Sequence, residues 1–243
     1  IAVAGIGLLA APLRMYGLNS HPPGIFGDDA AEGLDALRII GGERPLYLID
    51  NNGREAMHAY LVAASIQLLG RTPIAVRLPS AIASTLTTLG ILLVAHSLFG
   101  PHIALITGFI CAVTVWPIML GRLATRPALL PLFLSFSLWM AVEAWRRGGV
   151  WRWIISGLVF GAAFYTYTPI RVMFLAPLLC AVIKFGIYRK TFPWLGALYF
   201  SSALLLTVSP LAIFTFNHRD IVFGRSAGVA VVSLADDPQK IAY

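Results

Sequence analysis

Residues 78–99, LPSAIASTLTTLGILLVAHSLF, run for the length of a membrane crossing without an Asp, Glu, Lys or Arg. A helix that crosses the hydrocarbon core needs about 20 apolar residues. Outward from this stretch the pattern repeats at 102–120, 127–144, 151–168, 169–187 and 194–216, and residues 1–13 form a shortened first span. Across 243 residues, 58% are hydrophobic and 12% charged, with mean hydropathy +0.79. A soluble surface carries about 25% charged residues, so the class is an all-α, polytopic integral membrane protein. The apolar runs are long and unbroken, not alternating, which excludes a membrane β-barrel. Pro117, Pro127, Pro131, Pro169 and Pro177 fall at or near predicted helix ends, where a missing N–H costs least. Cys111 and Cys180 lie in apolar runs and read as small core residues.

Residues 56–70, AMHAYLVAASIQLLG, are apolar but short. A helix over 55–69 would be roughly 22 Å long at 1.5 Å per residue, against a core of roughly 30 Å. It is expected to lie along the membrane surface. The chain then reads as a single transmembrane domain over 1–243, with a first outer loop at about 14–77, spans at about 78–216, and the start of a further outer segment at 217–243.

The acidic residues are unevenly placed. Of 11, seven lie between Asp28 and Glu55 (Asp28, Asp29, Glu32, Asp35, Glu43, Asp50 and Glu55), and between 56 and 219 only Glu143 occurs. The chemistry of the chain therefore belongs to the first polar segment. GDDAAEGLDALRII at 27–40 reads as a helix with acids in its first turn. Capping explains one Asp there, but not two with Glu32 and Asp35 behind them.

If 56–70 lies flat, the loops 145–152 and 184–193 share one side and hold Arg146, Arg147, Arg152, Lys184, Arg189 and Lys190. The positive-inside tendency makes that side cytoplasmic and turns 28–55 outward. Twelve of the 18 basic residues nonetheless fall outside, and 11 of those are Arg, among them Arg122, Arg126, Arg171, Arg219 and Arg225. Some arginines snorkel to headgroups. A set at helix ends suits a lipid-linked phosphate or pyrophosphate, which the guanidinium fork matches.

Four stretches carry a family resemblance: HPPGIFGDDAAEGLDALRII, NNGREAMHAYLVAASIQLLGRTPIAVRLPSAIASTLTTLGILLVAHSLFG, GLVFGAAFYTYTPIRVMFLAPLL and SPLAIFTFNHRDIVFGRSAGVAVVS. In order and spacing they resemble the GT-C glycosyltransferases, specifically the family 39 group of protein O-mannosyltransferases and lipid A aminoarabinose transferases. The resemblance implies a GT-C transmembrane helix bundle with juxtamembrane helices in its first outer loop. It also implies sugar transfer from a polyprenyl-phosphate donor to an acceptor hydroxyl on the outer face. In that family the first outer loop supplies a catalytic Asp followed by Glu; here the pair is Asp28 and Asp29. Family members are longer, with further helices and often a soluble outer domain, so a piece of a longer chain or a shortened relative is expected.

Each part of that chemistry is present in residue type. Asp28 is the expected base for the acceptor hydroxyl, and Asp29 its partner or a metal-side acid. Arg54, Arg122, Arg126 and Arg171 are the expected phosphate ligands. A divalent metal ion is one way to hold the leaving group, with Asp29, Glu55 and His58 as candidates; Arg54 and Glu55 would begin the 55–69 helix, with His58 one turn on from Arg54. Tyr165 and Tyr167 read as interfacial anchors, and Glu143 as a partner of Arg146 and Arg147 at the interface. The expected partners are the polyprenyl-linked sugar, membrane lipids and other membrane subunits, with no nucleic acid. The expected location is a bacterial inner membrane with the active-site loop outside the cytoplasm. The competing reading is a non-catalytic subunit of a larger complex, derived from a shortened glycosyltransferase. A transporter would carry ionisable groups at mid-depth of its spans, and here the span interiors lack them.

Overall fold

The computed structural model describes residues 2–49, 53–187 and 192–219. Asp50, Asn51, Arg189, Lys190, Arg225, Lys240 and nearly all of the expected 217–243 segment lie outside them. The described chain is helical apart from one small hairpin. In order it comprises α1 (Ala2–Met15), α2 (Gly27–Ile40), β1 (Tyr47–Leu48), β2 (Arg54–Glu55), α3 (Met57–Leu69), α4 (Pro73–Phe99), α5 (Pro101–Val113), α6 (Val115–Arg122), α7 (Leu129–Arg147, after a 3-10 turn at Arg126–Ala128), α8 (Val150–Ala163), α9 (Ile170–Met173), α10 (Leu175–Ile187) and α11 (Trp194–Asn217).

Four helical segments are long and apolar enough to cross a membrane: Pro73–Phe99, Arg126–Arg147, Ile170–Ile187 and Trp194–Asn217. α5 and α6 together pass the same test but meet at a bend of 54°. α1, α3 and α8 are shorter apolar helices. In an apolar solvent every backbone group must be satisfied within the segment, which is why each apolar run becomes a helix. α4 is the hub and packs against α1, α3, α5, α6 and α7; α8 links α7 to α11. Two glycines one turn apart set the α8–α11 approach. A Cβ at Gly157 would lie 2.3 Å from the Phe200 carbonyl oxygen, and one at Gly161 would lie 2.6 Å from Thr207 Cβ. Small residues allow such backbone contact between membrane helices. Along α10 the described side chains are exposed apart from half-buried Phe185, and Cys180 is among the exposed ones, so that cysteine is not the core residue its apolar run implied.

The expected span 102–120 is not one helix. Pro117, third residue of α6, has no N–H for the carbonyl of Val113, and the chain is extended at Thr114 (φ −66°, ψ 130°). The break leaves α5 carbonyls without helical partners. Arg14, at the end of α1, supplies them: its Nη1 donates to Ala112 O at 3.0 Å and its Nη2 to Cys111 O at 3.0 Å. Its Nε donates to Ser84 Oγ at 2.8 Å, and Ser84 donates to Pro117 O at 2.7 Å. Arg14 is wholly buried. Arg14→Met should therefore strand two carbonyls at about 1–3 kcal/mol each. The expected result is a clear drop in the melting temperature of the detergent-purified protein, and an unchanged melt would remove Arg14 from this role.

α3 has 13 residues, about 20 Å. One face, with His58, Ala59, Val62, Ala63 and Ile66, is buried against α2 and α4. Ala36, Ile39, Leu48, Ala75, Val76 and Ala124 complete that core, whose small side chains let the helices close in. The other face, with Leu61, Leu68 and Leu69, is exposed. Arg54 and Glu55 do not begin this helix as the sequence implied. They form β2, paired antiparallel with β1 in the register Tyr47 to Glu55 and Leu48 to Arg54. The pairing turns both side chains into buried positions.

Candidate functional site

α2, the hairpin, the start of α3, the start of α4, the 123–128 turn and the start of α9 meet at one end of the bundle. Met57 N–H donates to the Tyr165 carbonyl there, and Tyr47 packs on Phe214 near the end of α11. On α2 the buried residues are Asp29, Glu32, Asp35, Ala36 and Ile39, the spacing of one helical face. That face is acidic, and a base from another element meets each acid.

Asp29 Oδ2 accepts from Arg77 Nε at 2.9 Å, and its Oδ1 accepts the Ala124 backbone N–H at 2.8 Å. Both residues are 1% exposed. The same guanidinium donates to the carbonyls of Leu18, Pro22 and Gly24, so Arg77 pins the strand of chain leading into α2. Glu32 Oε2 meets His58 Nδ1 at 2.8 Å, and His58 Nε2 meets Ser80 Oγ at 2.9 Å. Ser80 in turn holds the Thr125 backbone N–H at 3.2 Å. Burial alone would raise the Glu32 pKa; the His58 hydrogen bond, with the charges of His58, Arg54 and Arg126, outweighs it and leaves the carboxyl below its ordinary range. Asp35 pairs with Arg54 Nη2, whose Nη1 lies 3.5 Å from Glu32. Arg54 Nε is buried without a partner.

Glu55 stands apart from this ladder. Arg126 Nη1 and Arg171 Nη2 each lie 3.3 Å from one of its oxygens, and Thr168 Oγ1 donates to it at 3.1 Å. The Glu55 side chain is 1% exposed, against 14% for Arg126 and 25% for Arg171, so the carboxylate is the most enclosed of the three. Arg126 also lies over the Tyr167 ring at 5.7 Å, and Tyr165 donates to the Thr207 carbonyl. Both tyrosines thus make contacts inside the molecule.

Asp28 is different in kind. It is exposed, and among the described acidic residues it alone has no hydrogen-bond or ion-pair partner. Neither Asp is the N-cap. That position is Phe26, with no side-chain cap hydrogen bond, so capping does not account for the pair.

Of the expected phosphate ligands, the structure brings Arg126 and Arg171 together. Arg54 is enclosed in the ladder, and Arg122 donates to the carbonyls of Leu13 and His21. The metal candidates Asp29, Glu55 and His58 each hold a different partner. Among the described residues no group of three or more His, Cys, Asp or Glu side chains is arranged for a metal ion. Arg77, Ser80 and Thr168 are site residues that sequence reasoning passed over. For Arg77 there was a signal: an arginine at the edge of an apolar run requires a partner.

Residues 55–232 match the family of dolichyl-phosphate-mannose-protein mannosyltransferases. The chain belongs to that family. It is a family of membrane glycosyltransferases of the GT-C type that use lipid-linked sugar donors, and the helix bundle described above is of that fold. The matched region takes in Glu55, His58, Arg77, Arg126 and Arg171, and begins after the Asp28–Asp29 pair. Comparison with curated proteins and with solved structures gave no match.

Proposed function

We propose that this family member transfers a sugar from a polyprenyl-phosphate donor to an acceptor hydroxyl, with Asp28 as general base. The observation that carries the reading is the division of labour in the acidic pair. Asp29 is clamped by Arg77 and a backbone amide, which fixes the first turn of α2 and with it the position of Asp28, whose carboxylate has no partner among the described residues. In the reaction the acceptor oxygen attacks the anomeric carbon, the bond from that carbon to the phosphate oxygen breaks, and the acceptor proton passes to Asp28. Arg126 and Arg171 take the phosphate, whose charge rises as the sugar leaves. The apolar helix faces hold the polyprenyl tail.

The proposed location of the site is the outer face of an inner membrane. Arg146, Arg147, Arg152 and Lys184 support this, since they lie at helix ends away from α2. The experiment has two arms. In the first, full-length purified protein should transfer sugar from a polyprenyl-phosphate donor; failure with every donor would favour the non-catalytic subunit. In the second, Cys111 and Cys180 are replaced by Ala and single cysteines are placed at Ser20 or Trp151. An impermeant maleimide on intact cells should label Ser20→Cys and spare Trp151→Cys, and the reverse pattern would invert the topology.

A further inference from the structure

We propose that His58 is a positioning residue for the donor site: through Ser80 and the backbone of Thr125 it fixes where Arg126 stands. The inference rests on reading Arg126 as a phosphate ligand.

Two acids of α2 reach the same turn. Asp29 takes the Ala124 N–H directly, at 2.8 Å. Glu32 reaches the next residue by relay: its Oε2 meets His58 Nδ1 at 2.8 Å, and His58 Nε2 meets Ser80 Oγ at 2.9 Å. Ser80 accepts the Thr125 N–H at 3.2 Å and donates to the Thr125 carbonyl at 3.3 Å. Three contacts use the whole capacity of a hydroxyl, one proton and two lone pairs, so Ser80 has no spare orientation while His58 is in place. Arg126 follows at once and opens the 3-10 turn. The chain entering Arg126 is therefore held at two successive amides and one carbonyl, and both holds trace back to the helix that carries Asp28.

Packing does not call for this relay. α3 and α4 already share an apolar core of Ala59, Val62, Ala63, Ala75 and Val76. His58 and Ser80 are both 0% exposed, and polar groups so deep cost free energy unless each is paired. Arg171 lacks the link. It belongs to α9, and its backbone N–H goes to the Thr168 carbonyl. The two guanidiniums that meet at Glu55 are thus positioned by different parts of the fold, and His58 governs one of them.

The test measures the Kd of a farnesyl-linked mannosyl phosphate for the full-length protein in nanodiscs. Ser80→Ala removes the hold on Thr125. It should weaken the probe about three- to tenfold, the scale of one lost hydrogen bond. In an Arg126→Gln background it should cost nothing more, because the group it positions is gone. In an Arg171→Gln background it should cost as much as in the wild type. A residue that only stabilises the fold would weaken the probe alike in all three. His58→Asn can keep the Glu32 contact but does not reach Ser80; it should repeat the pattern, and it decides the matter if Ser80→Ala does not fold. Equal losses in the Arg126→Gln and Arg171→Gln backgrounds, or no loss in folded Ser80→Ala, overturn this inference alone. If Arg126→Gln by itself leaves the Kd unchanged, the phosphate lies elsewhere, and the reading of Arg126 falls together with the inference.

Discussion

Asp28→Asn should lower sugar-transfer turnover by about 10²-fold or more, the scale on which enzymes lose a general base, while the melting temperature stays that of the wild type. The two halves of this result have one cause. Asn keeps the size and most of the hydrogen-bonding capacity of Asp but cannot take a proton from a hydroxyl. Among the described residues Asp28 has no partner, so its charge supports no contact there whose loss would loosen α2. Activity and stability are thereby separated at this position. Donor binding, which the proposed function assigns to Arg126 and Arg171, should be close to unchanged, so the loss appears in kcat and not in KM.

The neighbouring substitution should do the opposite. Asp29→Asn leaves Arg77 buried without its counterion, and breaking a buried pair in this way costs about 3–5 kcal/mol. Arg77→Met should be at least as damaging, because it also releases the carbonyls of Leu18, Pro22 and Gly24. Since the two residues act through one contact, the double variant should lose much less than the sum of the single losses. Thermal unfolding in one detergent, for the wild type, both single variants and the double variant, measures that coupling. Additive losses would show that Asp29 and Arg77 do not work as a pair. What activity the Asp29 variants lose should follow the loss of folded protein.

The helices were legible in the sequence because membrane solvent enforces them: an apolar run of spanning length has no alternative to internal hydrogen bonding. α4 begins five residues before the expected 78, at Pro73, since Thr72 accepts the Ala75 N–H and Pro is well placed in a first turn. That shift brings Arg77 into the helix, where it reaches Asp29 across 48 residues of sequence. The α5–α6 break was half legible. Pro117 marks it, but the group that makes it tolerable, Arg14, lies 98 residues from Ala112. The hairpin was not legible, because Arg-Glu ahead of an apolar run looks like a helix start and only the pairing with Tyr47 and Leu48 says otherwise. The sequence singles out the acidic cluster, with Asp28 and Asp29 at its head. Their different environments depend on Arg77 and on an amide 95 residues away, which no local pattern encodes.

The most direct test of Asp28 as the base is chemical rescue. Asp28→Ala removes the carboxylate at an exposed position, where a small acid such as formate has access. Sugar transfer by this variant is measured against formate concentration, beside Asp29→Ala. The account predicts near-background transfer by Asp28→Ala that rises with formate and saturates, and no response from Asp29→Ala. Wild-type turnover by Asp28→Ala without formate would contradict it.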